Sequence, residues 1–406
     1  MLLEKGIGYK NVIGDFWRDL NSQNIGAGVI AAIFGLSAGV IHISAGTAAG
    51  LPMDFLIFWV TSLYFINGVF GLLVPAYYRQ PLPMANSIPG ALLFAAVIPT
   101  VGLGPALGAT LIAGILTLLI GLSGAMGKIM RFTPTPIVLG MIGGVLLRFG
   151  LNLVAPLQDA LLPSLLMIGA YLLTTKFFKK FPAVISSLVV GIIWLVVTGT
   201  DFSKVSLVVD YPRFVVPEFS LEAFLAYGLP LTIILVGMET PVGVGLLKAV
   251  GYKNIPANGV TFANGLGTTI GAFFNLHSTA IAAPMTGIIS SPEAGKLEKR
   301  WVAAVVIGII WIAVAPFYGS LVTLFKITPS YFINIVAGLA LVKVLISTIG
   351  GALSANNHKL GALFAFLVAA SGIKLLGVGA SFWALIFGIV ISLIVETEDF
   401  KKKSDD

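Results

Sequence analysis

Pro81-Leu-Pro-Met-Ala-Asn-Ser87 and Phe273-Phe-Asn-Leu-His-Ser278 are short polar breaks inside otherwise apolar stretches, one in each half of the chain. The first precedes a helix-like run over 88–100 and the second a run over 279–289. Each run is about a dozen residues, roughly 18 to 20 Å of helix, too short alone for a hydrocarbon core of about 30 Å. Extended backbone must supply the remainder. Non-helical backbone survives at membrane depth only where protein or a wet cavity covers it, and paired interrupted segments in two halves point to a transporter's binding site.

The rest of the composition agrees with a membrane setting. Of 406 residues 57% are hydrophobic and only 10% charged, which excludes a water-soluble domain and implies a polytopic chain whose solvent is the lipid bilayer. There is no cysteine, so disulfide frameworks and thiolate metal sites are excluded. The net charge of +7 reads as a topology signal, with no nucleic acid implied. Residues 1–23 lack the pattern of a cleavable signal peptide. They suit an amphipathic interfacial segment, with Val12, Ile13, Phe16, Trp17 and Leu20 on one helical face opposite Lys10, Asp15, Arg18 and Asp19.

Working outward from the breaks, apolar segments run over 24–44, 53–76, 81–100, 103–123, 134–153, 160–177, 182–199, 221–247, 257–272, 273–290, 301–320, 329–350, 359–374 and 379–395. With both termini cytoplasmic, eighteen Lys and Arg fall inside and five outside (Arg148, Lys204, Arg213, Lys326 and Lys374), with Lys343 within a segment, which accounts for all 24. That is a strong positive-inside bias. The polar stretch 200–220 separates two sets of seven, a first repeat over 24–199 and a second over 221–395, and an odd number per set requires the second to be inverted. Thr133-Pro134 returns as Thr328-Pro329 and Gly143 as Gly338, both at an offset of 195, while Ser87 and Ser278 differ by 191. Residues 396–406 form a short charged tail.

In such an inverted pair the third and tenth segments are part extended and part helical, and their helix amino termini meet near the midplane. Each terminus presents unpaired N–H groups and about half a positive charge, so the two together favour an anion or a ligand's electron-rich edge. Ser87 and Ser278 read as the N-caps. Glu239 lies within the apolar eighth segment, and an acid at that depth is by default a functional residue. Burial opposes its charge and the helix ends favour it, so proton carrier, substrate partner and structural ion-pair partner all stay open. Lys343, within the twelfth segment, could pair with Glu239, bind an anion or snorkel to the interface. His277 could touch substrate or simply bond to backbone. Asn67, Asn86 and Asn275 read as partners for broken backbone, and His42 and His358 as residues near segment ends.

Several stretches together resemble the benzoate:proton symporter family: Arg79-Gln-Pro-Leu-Pro83, Ser87-Ile-Pro-Gly-Ala-Leu-Leu93, Phe274-Asn-Leu-His-Ser-Thr-Ala-Ile-Ala-Ala283, Ser291-Pro-Glu-Ala294 and Arg300-Trp-Val-Ala-Ala304. The resemblance covers most of the chain. It implies the all-α seven-plus-seven inverted-repeat fold of nucleobase and sulfate-permease-type transporters. In that fold a core domain of segments 1–4 and 8–11 moves against a gate domain of segments 5–7 and 12–14, and homodimers are common. Met238-Glu239-Thr240-Pro241 departs from the uncharged Ser-Gln-Asn-like stretch expected of the family at this point. In the related nucleobase carriers an acid on this segment contacts substrate.

The resulting expectation is a proton-coupled symporter of a small planar organic solute, benzoate-like, in the inner membrane. Ser87, Ile88, His277, Ser278, Thr279 and Glu239 would face substrate, and Glu239 would carry the proton. A nucleobase symporter of the same fold, or an anion channel or uniporter, is the alternative. Neither a paired-carboxylate nor a multi-histidine constellation is present at usable spacing, so no enzyme activity, cofactor or metal is expected.

Overall fold

In lipid every backbone N–H and C=O must find a partner within the protein, and helices achieve this segment by segment. The computed structural model describes residues 3–132, 134–151, 153–178, 183–373, 375 and 380–401. The first half runs α1 Val12–Asp19, α2 Ser22–Ser37, α3 Gly39–Ala48, α4 Met53–Tyr78, β1 Met84–Ala85, α5 Ile88–Val101, α6 Leu103–Ser123, α7 Met126–Phe132, α8 Thr135–Leu151, α9 Pro156–Asp159, α10 Leu161–Phe177 and α11 Ala183–Val197. The second half opens with α12 Leu221–Ala223, α13 Leu229–Ile234 and α14 Thr240–Ala249, three pieces of one rod. It continues through α15 Ala257–Ala272, β2 Ala280–Ile281, α16 Ala283–Ile289, α17 Trp301–Val314, α18 Gly319–Ile327, α19 Ser330–Ser354, α20 Lys359–Ser371, α21 Ala380–Val395 and α22 Thr397–Lys401. Helices therefore occupy the apolar stretches read from the sequence. Among the described residues five, Ser22–Ala48, Met53–Tyr78, Leu103–Ser123, Leu221–Lys248 and Leu297–Phe317, are long and apolar enough to cross a membrane.

The first apolar segment is not the unbroken helix that its hydropathy suggests, for it is interrupted at Ala38 between α2 and α3. The Tyr64 hydroxyl lies 3.1 Å from both the Gly35 and Leu36 carbonyls, and the Tyr318 hydroxyl donates to Leu36 as well. Gly39 is required there, because a Cβ would run into both tyrosine hydroxyls.

Proline shapes the rod over 221–249 in a different way. Pro230 and Pro241 cannot donate to a carbonyl four residues back, and their rings clash with it. The turns ahead of them, Phe224–Gly228 and Leu235–Glu239, widen to π-helix, which moves the clashing carbonyl aside without ending the helix. Thr240 completes the second, its hydroxyl donating to the Leu235 carbonyl at 3.1 Å.

Two packed groups result. In one, α6 lies on α15 and α4 on α17; in the other, α8 packs with α19, α20 and α21, and α10 with α11. Helices of similar apolarity gain nothing from hiding from lipid, so small residues that admit close backbone contact decide who pairs with whom. Gly114 abuts the Thr269 backbone and Gly121 the Phe262 backbone; Gly68 and Gly71 abut Gly308; Gly140 abuts the Ala362 carbonyl. The 201–220 stretch is bound down along its length. Val208 N donates to Ser320 Oγ (3.0 Å), Asp210 N to Pro316 O (2.9 Å), Val215 N to Phe273 O (2.7 Å) and Glu218 N to Gly104 O (2.9 Å).

Candidate functional site

The two breaks meet. Pro81 and Pro83 prevent the first from coiling, and β1 pairs antiparallel with β2, Met84 opposite Ile281 and Ala85 opposite Ala280. Ala282 N extends the ladder to Pro83 O at 3.0 Å. All four strand residues are buried. Extended backbone at this depth is tolerable because each break supplies the other's partners.

Ser87 caps α5: its backbone is extended and its Oγ accepts from Gly90 N at 3.1 Å. The expectation for Ser278 is corrected. The second helix begins at Ala283, four residues later than the sequence suggested, and Ala282 stands at its cap without a side-chain bond. Pro89 and Pro284 each take the second position of their helix, and 284 − 89 gives 195, the offset of Thr133 and Thr328. Ala282 thus stands at that same offset from Ser87. Ser278 instead serves the opposite break, its Oγ accepting from Ser87 N at 3.0 Å.

Thr279 is equally committed: its hydroxyl donates to Asn67 Oδ1 (2.7 Å) and its N–H to Thr268 Oγ1 (2.9 Å). Ile88, the first residue of α5, is half-buried. His277 is fully buried, with its ring held on both sides. Trp59 Nε1 lies 3.1 Å from Nδ1 and Ser87 O lies 3.1 Å from Nε2. An indole nitrogen only donates, so Nδ1 accepts and the proton sits on Nε2, donated to Ser87. This is a neutral imidazole used as a strut, with the Tyr227 hydroxyl on its carbonyl at 3.1 Å.

His42, read from sequence as a segment-end residue of little weight, belongs beside it. It is buried within α3, its ring 5.3 Å from that of His277, with Nδ1 on Ala38 O (3.0 Å) and Nε2 on Asn86 Nδ2 (2.8 Å). Trp59, Phe94 and Tyr227 close the wall behind, with ring centroids 5.4 and 5.5 Å apart in sequence. Nothing in hydropathy marks these aromatics. Their only sequence signal is the i, i+4 and i, i+8 relation of Trp59 to Leu63 and Asn67 on one face of α4. Asn67 does satisfy the second break, its Nδ2 reaching Ser278 O at 3.4 Å. Asn86 joins the histidines instead. Asn275 takes a left-handed turn (φ 62°), and its buried amide has no hydrogen-bond partner among the described residues.

Glu239 ends the second π turn and is only 7% exposed. The Ser87 side chain lies near its carboxyl, and no ion pair to it occurs among the described residues. Its turn packs on β2, α15 and α7 and also on α8 of the second helix group. Thr240 beside it accepts from Asn264 Nδ2 at 3.1 Å. The acid thus stands next to the cap of α5, on the boundary between the two groups. A carboxyl there can exchange a proton and can either accept from or donate to a ligand, while the α5 terminus favours electron-rich atoms. Lys343 falls on α19, and its side chain lies outside the described residues.

One cluster could hold a cation. The ligand atoms of His358, Glu396 and Asp399 lie within 4.8 Å of one another. Their carboxylates cap α20, however, with Glu396 accepting from Leu360 N (2.7 Å) and Gly361 N (3.1 Å) and Asp399 from His358 N (2.8 Å).

Comparison with known proteins adds an independent line. The family model described as benzoate membrane transport protein matches residues 18–394. The inner membrane protein YdcO of Escherichia coli K12 is 33% identical over 384 residues, covering 91% of this chain and 96% of that one. A benzoate membrane transport protein of Acinetobacter baylyi is 27% identical over 381 residues, covering 91% and 94%. In fold, the chain is similar to the transmembrane domain of the cyanobacterial bicarbonate transporter BicA (TM-score 0.59, 15% identity, 92% and 97% covered). It is also similar to the murine anion transporter Slc26a9 in its inward-facing state (TM-score 0.65, 15% identity, 95% and 70% covered).

Proposed function

The chain belongs to the benzoate membrane transport protein family, and on that footing we propose that this multi-pass membrane transporter is a proton-coupled symporter of a small planar aromatic carboxylate. The observation that carries the proposal is Glu239, buried beside the Ser87 cap at the boundary between the helix groups. Ser87, Ile88 and the adjoining α5 terminus receive the carboxylate edge of the solute. Ser278, Thr279 and His277 hold the two breaks in place around it. A charged Glu239 would repel a carboxylate, so solute and proton arrive together: the proton removes the repulsion, and loss of either releases the other.

The wider architecture in this reading is fourteen crossings as two inverted sets of seven, with both termini cytoplasmic. The group containing the breaks acts as core and the group built on α8, α19, α20 and α21 as gate, and the protein assembles as a homodimer. Alternating access follows when one group shifts against the other, because Glu239 sits at their contact. The common offset of 195 and the antiparallel meeting of the breaks support this arrangement.

Proteoliposomes test it. Benzoate uptake should rise when the outside is acidified relative to the lumen and lose that dependence in Glu239→Gln. Uptake indifferent to the gradient in the wild type points to a uniporter or channel. Uptake of uracil or xanthine in preference to benzoate, with the same proton dependence, shifts the substrate to a nucleobase.

A further inference from the structure

The amino-terminal segment, which the transport reading does not use, sorts its side chains by charge. All three of its acids turn toward the protein. Glu4 caps α15, accepting from Asn258 N (3.1 Å), Asn258 Nδ2 (2.8 Å) and Gly259 N (2.9 Å). Asp15 pairs with Arg79 at 2.9 Å, and Asp19 accepts from Trp301 Nε1 at 3.1 Å, with Lys299 at 3.8 Å. Lys5 and Lys10 turn the other way and are exposed, while Arg18, its side chain 65% exposed, spends all three guanidinium nitrogens on Asp15 and Asp19.

The apolar residues divide as well, contrary to the single apolar face read from the sequence. At 100° per residue, Val12, Asp15, Phe16 and Asp19 share one half of α1, and Ile13, Gly14, Trp17 and Arg18 the other. Val12, Phe16 and Leu20 seat against Ala76, Trp301, Val302 and Val305. Ile13 and Trp17 are left 72% and 66% exposed, and Ile7 and Tyr9 beside them are exposed too. The helix lies where α4 and α17 end, against Arg79 and Trp301, which is the level at which spanning helices leave the apolar layer. An outward face of aromatic, aliphatic and basic residues, cleared of acids, complements one surface above others.

We propose that residues 5–18 form a binding surface for the anionic phospholipid leaflet on the amino-terminal side, with Ile13 and Trp17 at the acyl boundary and Lys5 and Lys10 on headgroup phosphates. Docking there fastens Arg79, two residues ahead of the first break, and Trp301, which follows the second. The membrane surface thereby grips the group of helices that carries both breaks.

The full-length protein in nanodiscs of phosphatidylcholine, with and without phosphatidylglycerol, tests this. Subtracting the emission of Trp17→Phe from that of wild type isolates Trp17 from the other tryptophans. Acyl chains brominated near the carbonyl should quench that component. In native mass spectrometry Lys5→Gln/Lys10→Gln should lower phosphatidylglycerol retention about fivefold for each charge removed, and the loss should fade in high salt. Both variants alter only exposed side chains, so folding is preserved. A Trp17 component insensitive to bromolipid overturns the proposal, whether aqueous acrylamide reaches it (a water-facing helix) or does not (a protein-covered one). Unchanged lipid retention in the double lysine variant overturns it equally.

Discussion

The two breaks look alike in sequence and are built differently. The first leads into a helix of 14 residues capped by its own Ser87; the second leads into one of 7 residues capped by Ala282, while its serine is lent to the other side. At its far end α5 passes through Gly102 directly into α6, whereas α16 is held by Arg300, which donates to Ser290 O (2.6 Å) and Gly295 O (2.8 Å). One break therefore presents a capped helix terminus and the other braces it, through Ser278 Oγ on Ser87 N. Two breaks of similar sequence need not be built to the same plan.

His277 is where that division is most exposed to test. His277→Ala should cost the most, about 3 kcal/mol, because it strands the Trp59 indole N–H and the Ser87 carbonyl in a dry interior. Thermal unfolding in detergent reads this directly, and a midpoint unchanged within about a degree would break the idea of a strut between the breaks.

The serines should differ in kind. Ser87→Ala removes the cap of α5, about 1 kcal/mol, along with the hydroxyl beside Glu239, so it should abolish most proton-driven uptake. Ser278→Ala should cost a similar amount of stability through the unpaired Ser87 N–H, yet retain far more transport. Ala282→Ser should stabilise slightly by supplying the missing cap. Equal loss of transport in the two serine variants, with no gain from Ala282→Ser, would restore the symmetric reading.

The smallest effect concerns acid. Burial alone raises the pKa of Asp19, but hydrogen bonds from Arg18 and Trp301 and the charges of Arg18 and Lys299 outweigh it, and the net shift is downward from 3.8. A carboxylate whose folded pKa is depressed contributes fully above its ordinary value and loses that contribution as pH falls through the lowered one. Acidification below about pH 4 should thus loosen the start of α17 at Trp301 before α5. Hydrogen exchange at α17 and at α5 across that range compares them, and Asp19→Asn should remove the difference.

Hydropathy located the segments and the breaks well because an all-apolar helix and a polar interruption are visible in any window of that length. What it missed was set by contacts. Serine at both breaks made two N-caps look equal, although Pro89 and Pro284, at the offset of the other repeats, mark the true helix starts. The π turns arise from Pro230 and Pro241 inside a rod that hydropathy reads as uniform. His42 joined the candidate site through tertiary packing that no periodicity encodes, and Trp59 had only its helical spacing to Leu63 and Asn67 to mark it. In α1 an apolar stripe was legible, but only Arg79 and Trp301, remote in sequence, draw Asp15 and Asp19 inward and turn half of that stripe outward.

The π turn at Leu235–Glu239 has a bearing on how this chain tolerates change. A π turn holds one residue more than the α-helical turn it replaces. Deleting a single residue there would let the rod revert to regular α-helix with little rotation of what lies beyond it, because five residues of a π turn cover about the same angle as four of an α-helix, so that Thr240 keeps Asn264 and Gly243 keeps the Ile281 side chain it abuts. The same deletion in one of the rod's regular turns would swing those residues by about 100°. Relatives that keep the same rod can therefore differ by one residue at the π turn, and elsewhere along the rod should align without a gap.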